Sequence, residues 1–553
     1  MHTAHCPLPT AYCIPHTAYC ILTFCILTYF ILPTAHCILP TPHSQQTIFK
    51  PVLLFSMFTK LLILGIYFAI LFLIGILASR RVKGLSDYYV GGKQVGYWAA
   101  AFSARATGES GWLLLGLTGM GALAGVSAYW VVVGELLGVY LSWTYMAKPF
   151  KRMTDAYGAI TIPDFLEGRF KPKTHLLRSV AATALSVFVI IYVSAQIDTT
   201  GKAFESLLGM NYFTGALVGF GIVLSYIFIG GFLAAVWSDL FQGLMMFFGL
   251  LLLPIVAWMH VDSTGAFVEG LRAIDPRLLQ IWGTSDSAWM NLFTILGFTM
   301  IGLGFLGSPQ IYVRFISIKN EEEITKGRRV ALVFTLLTDA AAVSIGLLGR
   351  FLFSNVGDDP IAVFGTGAEN VLIMMVENLL PLTLIGLYIA IVLSAIMSTI
   401  DSLLIVASSA ITRDFYQKIF RPDLDGSTLT RLSRLVTLGM ALFALALSFT
   451  VAVLSPDRTV FWFVIFGWSG IAATFCPVTI LALFWKPYSE KGAIASMVTG
   501  FLCVPFFKFV VQPMEGIGPA FEQLDVLAPS FLLAMVAGWV FTKLYPGTVD
   551  PAG

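Results

Sequence analysis

Uncharged apolar stretches long enough to cross a lipid bilayer recur along almost the entire chain. The stretches 61–79 and 240–261 contain no Asp, Glu, Lys or Arg, and a helix of about 20 residues spans the hydrocarbon core of a membrane. Helices are expected because backbone polar groups in hydrocarbon must be satisfied within their own segment. The sequence therefore predicts an all-α polytopic membrane protein with thirteen transmembrane helices. The predicted spans are 59–79, 96–124, 126–147, 176–203, 211–230, 235–260, 289–313, 329–353, 381–411, 429–453, 459–485, 491–513 and 527–545.

The composition agrees with this class of fold. The 553 residues are 57% apolar and 12% charged, whereas a water-soluble domain carries about 25% charged residues. The 33 basic and 31 acidic residues leave a net charge of +2, so no strong field attracts nucleic acid. These values exclude a cytosolic enzyme, a disordered scaffold and a nucleic-acid-binding protein, and they make the lipid bilayer the expected surroundings.

The first 56 residues differ from the rest of the chain. Most of the seven cysteines lie before residue 40, and short phrases such as PTAYCIP and LPTAHCILP repeat. Their Cys and His spacing does not match a structural zinc site, and no basic segment precedes the apolar stretch as in a signal peptide. We interpret 1–56 as a low-complexity Cys/His-rich extension without function, 57–546 as the membrane domain and 547–553 as a short C-terminal tail.

The positions of the basic residues predict an orientation. If the first span starts outside, most of the 33 lysines and arginines fall in loops on the inner side, among them Arg80, Lys151, Arg314 and Arg413. Cytoplasmic loops of membrane proteins carry such an excess. The sequence therefore predicts a multi-pass protein of a bacterial cytoplasmic membrane, with the N-terminus outside and the C-terminus inside.

The second and seventh predicted spans contain residues that interrupt a helix. They hold Ser103-Ala-Arg-Ala-Thr-Gly-Glu-Ser-Gly111 and Gly302-Leu-Gly-Phe-Leu-Gly-Ser-Pro309. Glycine loosens a helix and Pro309 removes a backbone donor. Within a membrane such breaks are tolerated where the freed backbone lines a cavity, and a pair of interrupted spans is typical of transporters built from inverted repeats. The alternative, that the glycines only allow close helix packing, leaves Arg105 and Glu109 unexplained.

A second group of polar residues lies in the ninth predicted span. Ser394-Ala-Ile-Met-Ser-Thr-Ile-Asp-Ser402 places hydroxyl groups around one helical turn, with Asp401 beside them. Serines in membrane helices often bond only to their own backbone. An intramembrane carboxylate is costly and marks a functional site by default, so we interpret this segment as part of a cation site. Asp239, early in the sixth span, is a further such carboxylate.

These residues resemble a known family. The broken second span, the segment Tyr226-Ile-Phe-Ile-Gly-Gly-Phe-Leu-Ala-Ala235 and the motif Met397-Ser-Thr399 are similar to the sodium:solute symporters, in their sodium/proline symporter branch. The resemblance covers residues 60–545. It implies a leucine-transporter-type core of five plus five helices in inverted repeats, within residues 96–485. It also implies sodium as the coupling ion and no organic cofactor.

The resemblance further implies ion-binding residues. One sodium would be held by the backbone carbonyls of Ala106 and Glu109 together with Ala395, Ser398 and Thr399. Some members hold a second sodium, and the matching positions here are Asp239, Ser398, Asp401 and Ser402.

The substrate positions that the resemblance implies are Ser110, Gly111, Tyr192, Ile301, Phe305 and Pro309. Two of these positions differ from the proline branch, which has tryptophan and tyrosine where this chain has Ile301 and Phe305. The branch also has an aspartate, important there for sodium coupling, where this chain has Gly108.

Three charges in the predicted spans are not expected from the family. Arg105 and Glu109 are four residues apart and could pair on one helix face, and Asp198 follows Tyr192 by six residues. We hypothesise that Glu109 or Asp198 provides proton coupling, or that Arg105 binds a substrate carboxylate. The alternative is an ion pair that only closes the cavity.

Together the sequence predicts a secondary active transporter that couples sodium to uptake of a small organic solute by alternating access, with an amino acid such as proline as the first candidate. Two alternatives are a proton-coupled symporter of another solute and a membrane sensor with the same fold. An enzyme is not expected, because Gly108-Glu-Ser-Gly111 is not the nucleophile elbow of hydrolases. In addition, the two histidines after residue 56, His175 and His260, lie far apart in the sequence.

Overall fold

The computed structural model describes residues 42–82 and 85–547. Residues 1–41, most of the predicted N-terminal extension, and residues 548–553 of the predicted tail lie outside the described residues. The chain divides into two units, Met1–Phe58 and Thr59–Gly553. The described part of the first unit is the beginning of the helix Pro42–Ser79, and the features described below belong to the second.

Regular secondary structure in the described ranges is helical apart from one isolated bridge between Val95 and Ile318, which confirms the predicted all-α class. The α-helices are α1 (Pro42–Ser79), α2 (Leu85–Val90), α3 (Tyr97–Gly111), α4 (Thr118–Ala124), α5 (Tyr129–Leu141), α6 (Ala147–Ala156), α7 (Ile162–Phe170), α8 (Leu176–Leu208), α9 (Tyr212–Trp258), α10 (Thr264–Ile274), α11 (Ala288–Met300), α12 (Pro309–Ser317), α13 (Glu321–Phe353), α14 (Pro360–Phe364), α15 (Val371–Leu379), α16 (Leu382–Ser409), α17 (Gly426–Leu454), α18 (Val460–Phe484), α19 (Glu490–Phe506), α20 (Gly518–Leu524) and α21 (Leu527–Leu544).

Within the described residues, eleven helical segments are long and apolar enough to cross a membrane. The difference from the thirteen predicted spans arises at two places. The segment Tyr97–Ala156 contains two predicted spans, separated at Gly125, where φ is 63°. Helix α9 also contains two predicted spans and bends at Gly231, where φ is 58°. Each predicted span therefore has a helical counterpart.

Both predicted helix interruptions are confirmed. In α3, Ser110 has φ 50° and ψ −170°, and the chain continues as a π-helical segment, Trp112–Leu117. In the seventh span, α11 ends at Met300 and is followed by a 3₁₀ segment, Ile301–Leu306. Gly307 has φ 158°, and Pro309 then starts α12. A non-glycine residue at positive φ is strained, so the conformation of Ser110 must be held by its surroundings.

Helix α16 belongs to the most enclosed of the eleven candidate membrane spans in the described residues. The most apolar window of Leu382–Phe420 is 100% buried, and α16 packs against α3, α8, α9 and α17. Its hydroxyl-bearing turn therefore faces protein on every side and lies next to the interruption in α3.

Helix α5 approaches the end of α11 and the 3₁₀ segment that follows it backbone to backbone. A Cβ atom added at Gly134 would overlap the carbonyl of Thr299, and one added at Gly302 would overlap the carbonyl of Gly134. Gly138 meets Gly302 in the same way. Small residues that let helices approach this closely are typical of membrane proteins. This contact sets the position of the interrupted seventh span.

We predict that Gly302→Val lowers the stability of the protein, because the new side chain has no space and must displace backbone. Such overpacking costs about 1–3 kcal/mol or more. Thermal unfolding of the purified protein in detergent checks this, with Gly439→Ala as the matched control. No atom lies within 4 Å of a Cβ at Gly439, so this helical substitution should leave the unfolding temperature unchanged or higher. An unchanged temperature for Gly302→Val would contradict the close contact.

Candidate functional site

The interruption in α3 directs its last backbone groups toward neighbouring helices. The amide of Gly111 donates to Oε1 of Gln196 on α8 at 3.1 Å. The indole N–H of Trp112 donates to the carbonyl of Gly108 at 3.4 Å. Since Ser110 breaks the regular helical pattern, one side chain from α8 and one from the following π-helical segment complete the hydrogen bonding of this turn.

Five oxygen atoms converge between the interruption in α3 and α16. The hydroxyl of Ser398 lies 3.1 Å from the carbonyl oxygen of Ala106 and 3.2 Å from that of Ala395. The hydroxyl of Thr399 lies 3.2 Å from the carbonyl oxygen of Thr107 and 3.1 Å from that of Ala395. All of these residues are buried. Carbonyls of an interrupted helix together with hydroxyl groups are the donor set that membrane transporters offer to sodium, so these residues fit a sodium ion.

Four of the five predicted residues of this first site thus come together. The exception is the carbonyl of Glu109, which accepts the amide of Trp112 within the turn. Thr107, which the sequence did not indicate, supplies a carbonyl oxygen instead.

The residues predicted for a second sodium surround an arginine. Asp239 Oδ2 accepts from the hydroxyl of Ser103 at 2.6 Å and from Nη2 of Arg314 at 2.9 Å. The hydroxyl of Ser402 also contacts Nη2 of Arg314 and lies 3.1 Å from Oδ1 of Asp401. The remaining predicted residue, Ser398, directs its hydroxyl toward Ala106 and the first site.

The predicted loop position of Arg314 is wrong. The apolar run ends at residue 313, but α12 continues to Ser317 and buries Arg314 completely. The helix can continue because Asp239 neutralises the guanidinium, and this partner lies 75 residues away in the sequence.

The predicted pair Arg105–Glu109 is present and forms part of a larger cluster. Nη2 of Arg105 contacts Glu109 and lies 3.0 Å from Oε2 of Glu135 on α5. Carboxylate oxygens of Glu109, Glu135 and Asp339 lie within 4.8 Å of one another, and all three residues are buried. The guanidinium carbon of Arg105 also lies 4.6 Å from the ring centroid of Phe305.

Sequence reasoning missed Glu135 and Asp339. Both lie within predicted spans, at 126–147 and 329–353, where a carboxylate is costly. The rule that a carboxylate within a membrane span marks a functional site, which identified Asp239 and Asp401, would also have identified Glu135 and Asp339.

An interrupted helix beside buried oxygen atoms is the arrangement expected of a sodium-coupled transporter, and comparison with known protein families leads to the same class. The family model for the sodium:solute symporter family matches residues 88–500. The chain belongs to the sodium:solute symporter family. The predicted resemblance to this family is therefore confirmed, and the relatives described next confirm its sodium/proline symporter branch. The protein is a multi-pass membrane transporter that couples sodium to a small solute.

Two curated relatives and one solved structure illustrate the match. The high-affinity proline transporter PutP of Bacillus subtilis is 38% identical over 433 residues, which are 77% of this chain and 88% of the relative. A sodium/proline symporter of Staphylococcus aureus is 33% identical over 493 residues, covering 87% of this chain and 92% of the relative. The structure of a sodium-coupled sialic acid symporter, in its substrate-bound outward-open state, superposes with a TM-score of 0.71 at 17% identity, covering 89% of this chain and 99% of that one. This last similarity confirms the predicted fold class.

In this symporter, three of the residues predicted to bind substrate surround an indole that the sequence did not indicate. Nε1 of Trp468 on α18 donates to the carbonyl of Ile301 at 3.2 Å. Its ring lies 5.1 Å from that of Phe305 and 6.5 Å from that of Tyr192, between centroids. All four residues are buried. Pro309 is placed differently, because it lines a separate cavity together with Thr161 and Asp414.

The third unexpected charge, Asp198, is neutralised by a neighbouring loop. Its carboxylate contacts the guanidinium of Arg458, accepts from the hydroxyl of Tyr212 at 2.6 Å and lies 3.9 Å from Nζ of Lys202. The structure therefore gives Asp198 partners that are separate from those of Arg105 and Glu109.

We predict that Arg105→Met destabilises the symporter by about 3–5 kcal/mol, the cost of leaving a buried charge without its partner. The loss should shrink when Glu109→Gln is added, because one uncompensated carboxylate is then removed. Thermal unfolding of the two variants in detergent measures the difference.

The matched control for this prediction is Arg152→Met, which breaks an exposed pair with Glu321 (Nε–Oε1 2.5 Å) and should cost at most about 1 kcal/mol. Equal losses for Arg105→Met and Arg152→Met would contradict the buried cluster.

Proposed function

We propose that this symporter takes up proline together with sodium across the cytoplasmic membrane of a bacterium by alternating access. The observation that carries the proposal is the convergence of the Ala106, Ser398 and Thr399 oxygens at the interruption of α3, in a chain 38% identical to a proline transporter. Sodium bound there would supply a positive charge and electrostatic attraction beside the interrupted helix. The residues of the chain would hold the ion, shape the adjacent solute pocket and exclude water from it.

The buried aromatic group supports a small amphiphilic solute. Tyr192, Phe305 and Trp468 offer ring faces that suit the apolar ring and the ammonium group of proline. Next to them, Ser110 and Gly111 lie where α3 is interrupted, and half-helix ends of this kind point at anionic substrate groups in related architectures. Each part of a zwitterionic imino acid thus has a chemically suitable partner.

The packing of Phe305 explains the differences from the proline branch. A Cβ atom at Gly108 would lie 2.8 Å from Cε1 of Phe305, so this position has no room for the aspartate of the branch. Similarly, Trp468 fills the space beside Ile301 and Gly304. We infer that this chain provides its aromatic wall from α18 and has no need of the tryptophan at position 301.

Ion pairs on either side of the site supply candidate gates. One group consists of Asp198 with Arg458 and of Lys202 with Glu369, whose Nζ–Oε2 distance is 3.5 Å. The other consists of Arg178, Asp164, Asp414 and Arg413; Nη1 of Arg178 lies 3.1 Å from Asp164 Oδ1 and 2.5 Å from Asp414 Oδ1. Burial disfavours ionisation of Asp164, but the guanidinium groups of Arg413 and Arg178 hold its pKa below the usual range. Opening one group while the other stays closed is what alternating access requires.

The proton-coupled alternative is less well supported. Its two candidate carboxylates, Glu109 and Asp198, each have an arginine partner, and the relatives above include sodium/proline symporters. We propose that the Arg105 cluster holds α3, α5 and α13 together and closes the cavity. This corresponds to the alternative given above, in which these charges form an ion pair that only closes the cavity.

Transport of labelled proline into liposomes containing the purified protein tests the proposed function. An inward sodium gradient should drive uptake, whereas a proton gradient of equal size should not. We predict that Ser398→Ala combined with Thr399→Val raises the sodium concentration for half-maximal uptake at least about tenfold, the loss expected when two ligands of a buried ion are removed.

The matched control for this prediction is Ser409→Ala on the same helix, because the hydroxyl of Ser409 donates back to the carbonyl of Val406 at 2.7 Å. Its sodium dependence should equal that of the original protein. Proline uptake that ignores sodium, or an unchanged sodium dependence in the double variant, would contradict the proposal.

The proposed orientation makes a separate prediction. In a variant whose cysteines are replaced by serine, Val356→Cys should react with a membrane-impermeant maleimide added to intact cells, whereas Asp423→Cys should react only after the cells are opened. Both positions are exposed. Val356 lies in the loop after α13, which the proposed orientation puts outside, and Asp423 lies in the loop before α17, which it puts inside. The reverse pattern would show that the chain is inserted the other way.

A further inference from the structure

Gln196 on α8 is a fully buried amide whose two ends have different surroundings. Its Oε1 accepts from the amide of Gly111 at 3.1 Å. Because a backbone amide can only donate, the oxygen of Gln196 must face Gly111 and the nitrogen must face away from it. Nε2 has no hydrogen-bond partner among the described residues, and Gln196 has no exposed surface. A buried donor without a partner is costly, so the position beside Nε2 suits a further acceptor.

Gln196 lies where the elements around the proposed solute pocket meet. It follows Tyr192 by four residues, so the two side chains share one face of α8. The hydroxyl of Tyr192 is also buried and also has no hydrogen-bond partner in the described part of the chain. A Cβ atom at Gly111 would lie 2.6 Å from Cγ2 of Thr199 and 3.2 Å from Cγ1 of Ile396. Two polar groups without partners therefore lie one turn apart, where α8 and α16 contact the interruption of α3.

The first amides of the half-helix that follows this interruption already have partners. The amide of Gly111 donates to Gln196. The amide of Trp112 donates to the carbonyl of Glu109 and lies 3.4 Å from the hydroxyl of Ser110. The start of a helix attracts negative charge, but an anionic group on the solute could use these amides only by displacing their partners. Hydrogen bonds in a chain polarise one another, so the bond from Gly111 makes Nε2 of Gln196 a stronger donor.

The buried arginine beside the pocket does not suit an anionic group. The guanidinium carbon of Arg105 lies 4.6 Å from the ring centroid of Phe305. The arginine is grouped with three buried carboxylates, those of Glu109, Glu135 and Asp339. A group with more carboxylates than guanidinium groups does not attract another carboxylate, because like charges repel. A neutral donor is therefore better suited to the carboxylate of a solute in this pocket.

We propose that Gln196 connects the interrupted helix to the solute, with Oε1 holding the amide of Gly111 and Nε2 donating to the carboxylate of the solute. This inference rests on the proposed uptake of proline and deepens it, because it assigns a residue that selects a solute with a free carboxylate. Gln196 is then a binding residue for the solute as well as a partner of the interrupted backbone.

Binding of labelled proline to the purified protein, with saturating sodium in mildly alkaline detergent buffer, tests this role with two variants. Gln196→Met removes both polar ends of the amide. Gln196→Glu keeps an oxygen for the amide of Gly111 but replaces the donor with a second carboxylate oxygen. We expect each variant to raise the Kd for proline at least about tenfold, the loss expected for a hydrogen bond to a charged group.

The matched control is Thr200→Val, one turn further along α8. The hydroxyl of Thr200 donates back to the backbone carbonyl of Gln196 at 2.9 Å, so the Kd for proline should not change. If Gln196 only held the interrupted helix, Gln196→Glu would keep its affinity for proline, because it still accepts from Gly111. Unchanged affinity in Gln196→Glu would overturn the proposal, and this variant decides the question if Gln196→Met does not fold.

Sodium binding without proline is a second readout, because the carbonyls of Ala106 and Thr107 precede the same interruption. Sodium should bind to Gln196→Glu at least as tightly as to the original protein, since the variant keeps the bond to Gly111. Equal losses of sodium and proline binding would show that Gln196 only supports the backbone, and would overturn its role toward the solute.

Competition by prolinamide tests whether the carboxylate is the group that Gln196 binds. Prolinamide has a neutral amide in place of the carboxylate, and hydrogen bonds to neutral groups are weaker. The original protein should prefer proline over prolinamide at least about tenfold, and this preference should shrink in Gln196→Met. An unchanged preference in the variant would overturn the proposal. Failure of the original protein to bind proline at all would instead contradict the proposed function, so the two failures are distinguishable.

Discussion

Backbone polar groups that lose their helical partners inside an apolar interior must find others, and this requirement organises the symporter around the interruption of α3. The left-handed conformation of Ser110 frees carbonyls of the preceding turn. The hydroxyls of Ser398 and Thr399 on α16 meet two of these carbonyls, and Gln196 on α8 receives the amide of Gly111. The same groups that satisfy the backbone form the proposed ion site. The interruption and the site are therefore one structural feature, which explains why α16 is so completely enclosed.

Buried charge is arranged around this feature in separate groups. In the proposed orientation, Arg314 and Asp239 lie at the intracellular half of the contact between α3 and α16. Arg105 and its carboxylates lie between α3, α5 and α13. Asp198 and Arg458 lie toward the C-terminal end of α8. In each group the paired charges lie on different elements of the fold. Because breaking a buried pair costs several kcal/mol, these contacts restrict the protein to a few discrete arrangements.

The sequence alone predicts the elements that depend on composition and local pattern. Apolar run length indicates the helices, and the combination of glycine, proline and polar residues at 103–111 and 302–309 correctly indicates the interruptions. It cannot indicate contacts made by residues that look ordinary in their own helix. Trp468 resembles a core residue in an apolar span, and its role beside Ile301 and Phe305 emerges only when α18 packs on the seventh span. Arg314 looks like the start of a loop because the partner that permits its burial lies on another helix.

Binding of proline to the purified protein, compared in sodium and in potassium at equal ionic strength, tests whether the ion completes the solute site. If sodium at the α3–α16 contact organises the neighbouring pocket, the affinity for proline should be at least about tenfold higher in sodium, within the range of coupling between two sites in one protein. Equal affinity in the two salts would contradict the account, because the ion would then have no influence on the pocket beside it.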